Sequence, residues 1–184
     1  MMFELFILGE LSDSPSHGYL LHRILSNVLG PLRPVSWGTL YGVLRQLEDD
    51  GAIIEVQATS PSEGRPRKVY GITDSGRERF LRLMARPLEH DASIEDTFRI
   101  KVSKFHLIDR DQRRAILTQY QNFLELLVDG SDLTREMIEK IPEIRDDERP
   151  YILAVVDYDR VSYEARLQWV VRALEFLNTK GDLA

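Results

Sequence analysis

Residues 36–51 read SWGTLYGVLRQLEDDG, and the reading of this stretch decides the fold. Leu40, Val43, Leu44 and Leu47 fall at i, i+3, i+4 and i+7, which is one face of an α-helix. Ser36 has the side chain of an N-cap, and Gly51 stands where a helix stops. Yet Gly38 and Gly42 lie one turn apart inside it, and a glycine in a helix interior costs about 1 kcal/mol relative to alanine. At about 100° per residue, the four apolar residues stay within about 60° of Leu40. Gly38, Gly42 and Arg45 fall on the opposite face, flanked by Thr39, Tyr41 and Gln46. Glycines on an outer face remove bulk and let another molecule approach the helix backbone. The DNA major groove admits a helix in this way, with the N-terminal residues of the helix against base edges and their neighbours on phosphates. The plainer reading, a Gly42 tolerated because tertiary packing carries the helix, stays open. Trp37 lies nearer the buried edge and reads as packing.

Upstream, Phe3, Phe6, Ile7 and Leu11 recur at helical spacing before the turn Asp13-Ser14-Pro15. Ser16 is predicted to cap a second helix carrying Leu20, Leu21, Ile24, Leu25 and Val28, which ends near Gly30-Pro31. Downstream the period changes. AIIEVQAT (52–59) and RKVYGI (67–72) are β-like, and SPSEGRP (60–66) between them is a turn-forming loop. The hairpin tip is basic, with Arg65, Arg67 and Lys68 within four residues around Pro66. Thr73 then caps a helix with Phe80, Leu81 and Met84 on its buried side, and Pro87 ends or kinks it. Three helices, a strand, a loop, a strand and a helix make a winged helix-turn-helix domain with a two-stranded wing, assigned to residues 1–90. The wing cations are placed to meet a phosphate or the minor groove.

Residues 91–184 read as all-helical, so the chain is mainly α. Phe98, Val102 and Phe105 mark one segment, and Ile116, Tyr120, Phe123, Leu124 and Leu127 mark a second. Asp129-Gly130-Ser131-Asp132 is predicted to break the pattern, which resumes from Leu133 to Ile141. After Pro142 and Pro150 a long helix is predicted over roughly 151–179. Its Tyr163, Leu167, Val170, Leu174 and Leu177 step by 4, 3, 4 and 3, a heptad seam read as the contact of a homodimer, with packing inside the chain as the alternative. Leu117, Leu126 and Val171 lie off these stripes, so the helices are apolar on more than one side, as a partner subunit would require. Aromatic residues such as Phe98, Tyr120, Tyr158 and Trp169 would suit a pocket between the two halves for a planar small-molecule effector.

Composition narrows the function classes. With 184 residues, 43% apolar and 29% charged, the chain can bury a real core. It has no cysteine, which excludes disulfides, thiolate metal sites and thiol catalysis. His17, His22, His90 and His106 have no ligand spacing, no phosphate loop or nucleophile elbow occurs, and no carboxylate pair is marked for acid/base work. An enzyme, a metal site and a cofactor are therefore not expected. The N-terminus MMFELFILGEL lacks a signal peptide's basic flank, and no apolar run reaches the ~20 residues of a membrane span. A cytoplasmic location follows as an expectation, with no membrane partner. The net charge of −6 argues against nucleic acid at first sight. Residues 1–90, however, hold 10 Lys and Arg against 11 Asp and Glu, while residues 91–184 hold 14 against 19, so the acidic surplus lies in the second half.

Together LGELSDSPSHGYLLHRI (8–24), SWGTLYGVLRQLEDDGAI (36–53) and GRPRKVYGITDSGR (64–77) resemble the PadR-type transcriptional regulators. The marks are His17-Gly18-Tyr19, Gly38-Thr39-Leu40-Tyr41 with Leu47-Glu48 and Gly51 behind, Arg67-Lys68-Val69-Tyr70, and Thr73-Asp74-Ser75-Gly76. The second half, with Thr97-Phe98-Arg99-Ile100-Lys101 and later Tyr163 and Trp169, is more loosely similar to the larger helical C-terminal domain of one subfamily. The resemblance implies a repressor that binds a pseudo-palindromic double-stranded DNA operator as a homodimer through C-terminal helices and is often released by a small molecule. It implies DNA contacts by Tyr19, Thr39, Tyr41, Arg65, Arg67 and Lys68, to which the outer-face reading adds Ser36, Gly38, Gly42 and Arg45. The family usually carries proline after G-T-L-Y, where this chain has Gly42. The contrasting expectation, drawn from the acidic total, is a winged helix that dimerises or docks a protein partner without specific DNA binding.

Overall fold

The computed structural model describes residues 2–56 and 68–180. Helix α1 (Met2–Asp13) is apolar on every side, and its Leu5, Phe6, Ile7, Leu8 and Leu11 are all buried. A helix of that kind belongs at the centre of a core rather than on a surface. Around it pack α3 (Trp37–Asp49), α4 (Asp74–Ala85), α5 (Ile94–Ser103) and the strand β3 (Val69–Ile72). Helix α2 (Gly18–Leu29) rests on α3 and α5 and ends at Gly30, whose φ of 84° suits glycine.

The sheet has three antiparallel strands, one more than expected. Strand β1 (Ser16–His17) pairs with β3, and β3 pairs with β2 (Ile53–Val56), in the order β1-β3-β2. Ser16 is therefore not the cap of α2: it lies in the ladder opposite Tyr70, and His17 takes the capping position, its Nδ1 accepting the Leu20 N–H at 3.0 Å. The cap of α3 is as expected, with Ser36 Oγ accepting from Thr39 N at 3.0 Å. Thr73 caps α4 by accepting from Gly76 N at 3.1 Å, and its hydroxyl also bonds Gly51 O and Ala52 O. That cap draws α4 tightly onto the chain after α3. A Cβ on Gly76 would stand 2.1 Å from Ala52 O, so only glycine fits there.

The chain divides into compact units at residues 1–112 and 113–184, later than the expected boundary at 90/91. The reason is α5, whose Ile94, Phe98 and Ile100 are buried and which packs on α1 and α2, followed by a 3-10 turn at Phe105–Leu107. Cations on and just after α5 tie it down: Arg99 donates to Leu29 O at 2.9 Å at the end of α2, and Lys104, which follows the helix, pairs with Glu10 of α1 at 2.6 Å.

The second unit is a helical hairpin. Helix α6 (Arg110–Lys140) runs unbroken through Asp129–Asp132, where a break was expected. Ser131 and Thr134 turn their hydroxyls onto Leu127 O and Gly130 O one turn back, at 2.9 and 2.7 Å, so the polar residues are satisfied without leaving the helix. Helix α7 (Arg149–Lys180) runs back antiparallel, joined to α6 by Arg135–Asp157 and Arg160–Asp132 ion pairs. Pro150 stands in its first turn, where the missing N–H costs nothing. Arg149 bonds the carbonyls of Ile138, Ile141 and Ile144 and so fastens the connection.

Candidate nucleic-acid interface

The outer face of α3 is open. A Cβ on Gly42 would meet nothing within 4 Å, and one on Gly38 would meet only Ser36 Oγ at 3.9 Å. Ser36, Thr39, Tyr41 and Arg45 are exposed on the same side, and among the described residues Arg45 makes no ion pair. This is a helix surface of low relief with one uncommitted cation, suited to close approach by a polyanion.

Tyr41 reaches from α3 to the start of α2. A Cβ on Gly18 would be 2.9 Å from its hydroxyl and 3.0 Å from its ring. The glycine of His17-Gly18-Tyr19 therefore makes room for Tyr41 and brings Tyr19 and Tyr41 to one surface. Between them stands Trp37, with ring centroids 6.0 Å from Tyr19 and 6.1 Å from Tyr41 at interplanar angles of 16° and 26°. The other neighbour of Trp37 is His22, stacked at 3.7 Å and 10°, whose Nε2 bonds Val35 O at 2.8 Å. Trp37 was expected to pack inward, yet 44% of it is exposed. At the first position of α3 no preceding turn covers it, and its ring covers His22 instead of entering the core.

Tyr19, Trp37 and Tyr41 open onto a concavity of about 420 Å³ whose remaining lining includes His17, Lys68 and Tyr70. Lys68 lies 2.9 Å from Glu55 and 3.6 Å from Glu48. Its hydrogen bond to Glu55, then the charges of Glu48 and Glu55, push its pKa up. Its positive charge is thus matched locally by acids. Tyr70 is 5% exposed, and burial, then the Glu48 charge, raise its phenol pKa. Arg65 and Arg67 lie outside the described residues. The structure thus brings Tyr19, Ser36, Gly38, Thr39, Tyr41, Gly42 and Arg45 to one side of the first unit, and adds Trp37, His17 and Tyr70, which sequence reasoning had not selected. The motifs His17-Gly18-Tyr19 and Arg67-Lys68-Val69-Tyr70 carried the signal for His17 and Tyr70; for Trp37 there was none.

The five seam residues of α7 are divided. Val170 and Leu177 are fully buried within the chain, while Tyr163, Leu167 and Leu174 are half-buried. The large apolar residues in solvent form a neighbouring stripe: Tyr151, Val155, Tyr158 and Trp169 lie within about 60° of one another on the helix. Among the described residues no cluster of His, Asp and Glu could hold a metal ion, and no helix is long and apolar enough to cross a membrane.

Comparison with known proteins bears on the first unit. Residues 7–82 match the transcriptional regulator PadR-like family. The probable transcriptional regulator Rv1176c of Mycobacterium tuberculosis is 37% identical over 84 residues, which cover 45% of this chain and 43% of that protein. The transcriptional regulator Rv3488 of the same organism is 38% identical over 74 residues, 40% of this chain and 64% of that one. The matched stretch thus spans less than two thirds of either relative. Among solved structures, Bacillus subtilis PadR in complex with operator DNA is similar at a TM-score of 0.45 and 18% identity, covering 96% of this chain and 99% of that one. The Vibrio cholerae virulence activator AphA is similar at 0.38 and 21%, covering 96% and 98%.

Proposed function

We propose that this chain, whose N-terminal domain belongs to the PadR-like family of transcriptional regulators, reads a double-stranded DNA operator as a cytoplasmic homodimer and represses transcription until a small molecule releases it. The observation that carries the reading is the outer face of α3, where a side chain on Gly42 would meet nothing within 4 Å and Thr39, Tyr41 and Arg45 stand exposed beside it. That face enters the major groove, Tyr19 and Tyr41 flank the phosphates, and the wing cations Arg65, Arg67 and Lys68 follow the backbone. Because Lys68 already faces Glu48 and Glu55, Arg65 and Arg67 carry most of the wing's attraction.

One such domain makes few phosphate contacts. A two-fold pair doubles them and sets a half-site spacing of a whole number of helical turns, hence a pseudo-palindromic operator. The stripe Tyr151, Val155, Tyr158 and Trp169 is the surface on α7 that a second copy would cover.

The test is to capture DNA fragments from the source genome on the purified protein and to titrate the enriched site in mobility-shift assays at several salt concentrations. Specific binding should fall steeply with salt. Gly42→Leu should weaken it at least tenfold, about 1.4 kcal/mol, with an unchanged circular dichroism spectrum. Binding that ignores salt, or a Gly42→Leu variant that binds as the parent does, would overturn the reading; the former outcome is that of a protein-docking module.

A further inference from the structure

We propose that the concavity lined by Tyr19, Trp37, Tyr41 and Tyr70 binds an uncharged planar aromatic molecule of two or three fused rings, and that its occupancy shuts the DNA-facing surface. The second half of this statement rests on the DNA-binding reading above; the first does not.

The argument starts from the tryptophan. One face of Trp37 is covered by His22 at 3.7 Å, and His22 is itself fixed by its bond to Val35 O. The indole is therefore held in place before anything binds, and 44% of the residue is still exposed. Tyr19 and Tyr41 stand on either side in nearly parallel planes. Aromatic rings prefer an offset-stacked partner, and this arrangement offers a fixed platform for one. Duplex DNA cannot use such a platform, because its bases present edges in the grooves and keep their faces within the stack. An aromatic ring left exposed on a duplex-binding surface is thus surplus to duplex binding, whereas a free planar molecule can stack on it.

Size and polarity set the ligand class. About 420 Å³ lies within the ~300–1,000 Å³ range of small-molecule pockets. Tyr70 is 5% exposed, lines this space, and its hydroxyl has no hydrogen-bond partner among the described residues. A phenol hydroxyl on the wall of the concavity can donate to a ligand carbonyl or ring oxygen. His17 accepts the Leu20 N–H at Nδ1, so the hydrogen of its neutral ring is on Nε2, a second donor. The one charged group of the lining, Lys68, faces Glu55 at 2.9 Å and Glu48 at 3.6 Å. Among the described lining residues no unmatched cation is left to select an anion, and the two acids discourage one. The site therefore selects a neutral acceptor-bearing ring system. Since Tyr19, Tyr41 and Lys68 belong also to the DNA-facing set, ligand and DNA exclude each other directly.

The experiment is isothermal titration calorimetry of the full chain with chromone, a neutral fused bicycle bearing a carbonyl, and with chromone-2-carboxylate and N-methylquinolinium as anionic and cationic counterparts. One saturable site per chain is expected for chromone, at least tenfold tighter than for either ion. Trp37→Leu should weaken it at least tenfold, and Tyr70→Phe, which removes one oxygen, about threefold, while Leu32→Ala, at a 90% exposed residue, leaves it unchanged. Thermal melts of each variant separate local loss from unfolding, and Tyr70→Phe alone decides the site should Trp37→Leu unfold. No saturable heat with chromone, tighter binding of either ion, or equal affinity in a folded Trp37→Leu or Tyr70→Phe variant overturns the ligand site. No DNA enters this titration, so its failure is distinct from failure of the DNA reading. Where chromone binds, its failure to displace an enriched duplex in a mobility shift overturns the exclusion alone.

Discussion

Residues 1–112 and 113–184 dispose of their apolar side chains in opposite ways. In the first unit Phe6, Ile7, Leu8, Leu21, Leu40, Leu44 and Ile53 are at 0% exposure, and its exposed rings gather at one place, Tyr19, Trp37 and Tyr41. In the second, Leu133, Met137, Tyr151, Val155, Tyr158 and Val161 each have more than half of their surface in solvent. A domain with a closed core and one aromatic patch reads as a finished unit with a binding face. A helical hairpin with this much uncovered apolar surface reads as part of a larger interior, because contiguous patches of this kind are rare on monomers. The glycines sharpen the contrast within the first unit, since some are there because space is absent and others because space is wanted.

The largest expected effect tests that last distinction. A Cβ at Gly76 would stand 2.1 Å from Ala52 O, backbone that cannot yield without moving the chain that follows α3. Gly76→Ala should cost about 3 kcal/mol or more, or prevent folding, as read by urea denaturation. Gly42→Ala meets open space and should raise stability by up to about 1 kcal/mol through helix propensity. Equal losses at the two positions would dissolve the distinction between a glycine of packing and a glycine of approach.

A smaller effect is expected on α7, where two faces of one helix have different duties. Val155→Glu with Tyr158→Glu puts charge on the exposed stripe and should raise the dimer dissociation constant at least tenfold in sedimentation, about 1.4 kcal/mol. The melting temperature of the resulting monomer should stay near that of the parent at equal low concentration. A dimer that survives both charges would move the contact elsewhere on the second unit.

The same two faces explain what the sequence could tell. The 4, 3, 4, 3 stepping of Tyr163, Leu167, Val170, Leu174 and Leu177 marks a seam of which two residues are buried and three half-buried, and periodicity cannot say whose helix covers it. Val170 and Leu177 are buried by their own chain, as a hairpin requires. Helix α3 was legible in full, because Ser36, the Leu40 to Leu47 spacing and Gly51 each act locally. Strand β1 was not, because two residues, Ser16 and His17, have no period and owe their conformation to β3 across the chain. The path of α6 through Asp129–Asp132 escaped for a related reason: a glycine among polar residues looks like a turn until Ser131 and Thr134 are seen bonding back to their own helix. At the candidate site the outer-face residues followed from the helical wheel. Trp37 did not, since its environment depends on His22 in another helix.

The smallest expected effect concerns charge, which the two units also treat differently. In the second unit Asp157 and Asp132 meet Arg135 and Arg160 in ion pairs that remain partly in solvent. In the first, Lys101 is 1% exposed and has no acid partner among the described residues; its Nζ donates to Met84 O at 3.0 Å and to Arg86 O, closing the end of α4. Burial, with Arg86 adding repulsion, lowers its pKa from 10.5 to about 8. A folded-state pKa below the unfolded one means that between about pH 8 and 10.5 the unfolded chain binds more protons, so stability from this group rises with pH through that window. Below about 8 the whole cost of burying the charge is present. Lys101→Met removes the titration. Urea midpoints for parent and variant at pH 8.5 and pH 9.5 should therefore diverge in the parent's favour at the higher pH, by about 1 kcal/mol. A divergence of the opposite sign would mean that the two carbonyls hold the ammonium more strongly than burial opposes it. The core of the first unit would then carry a stabilised charge, as the surface pairs of the second unit do.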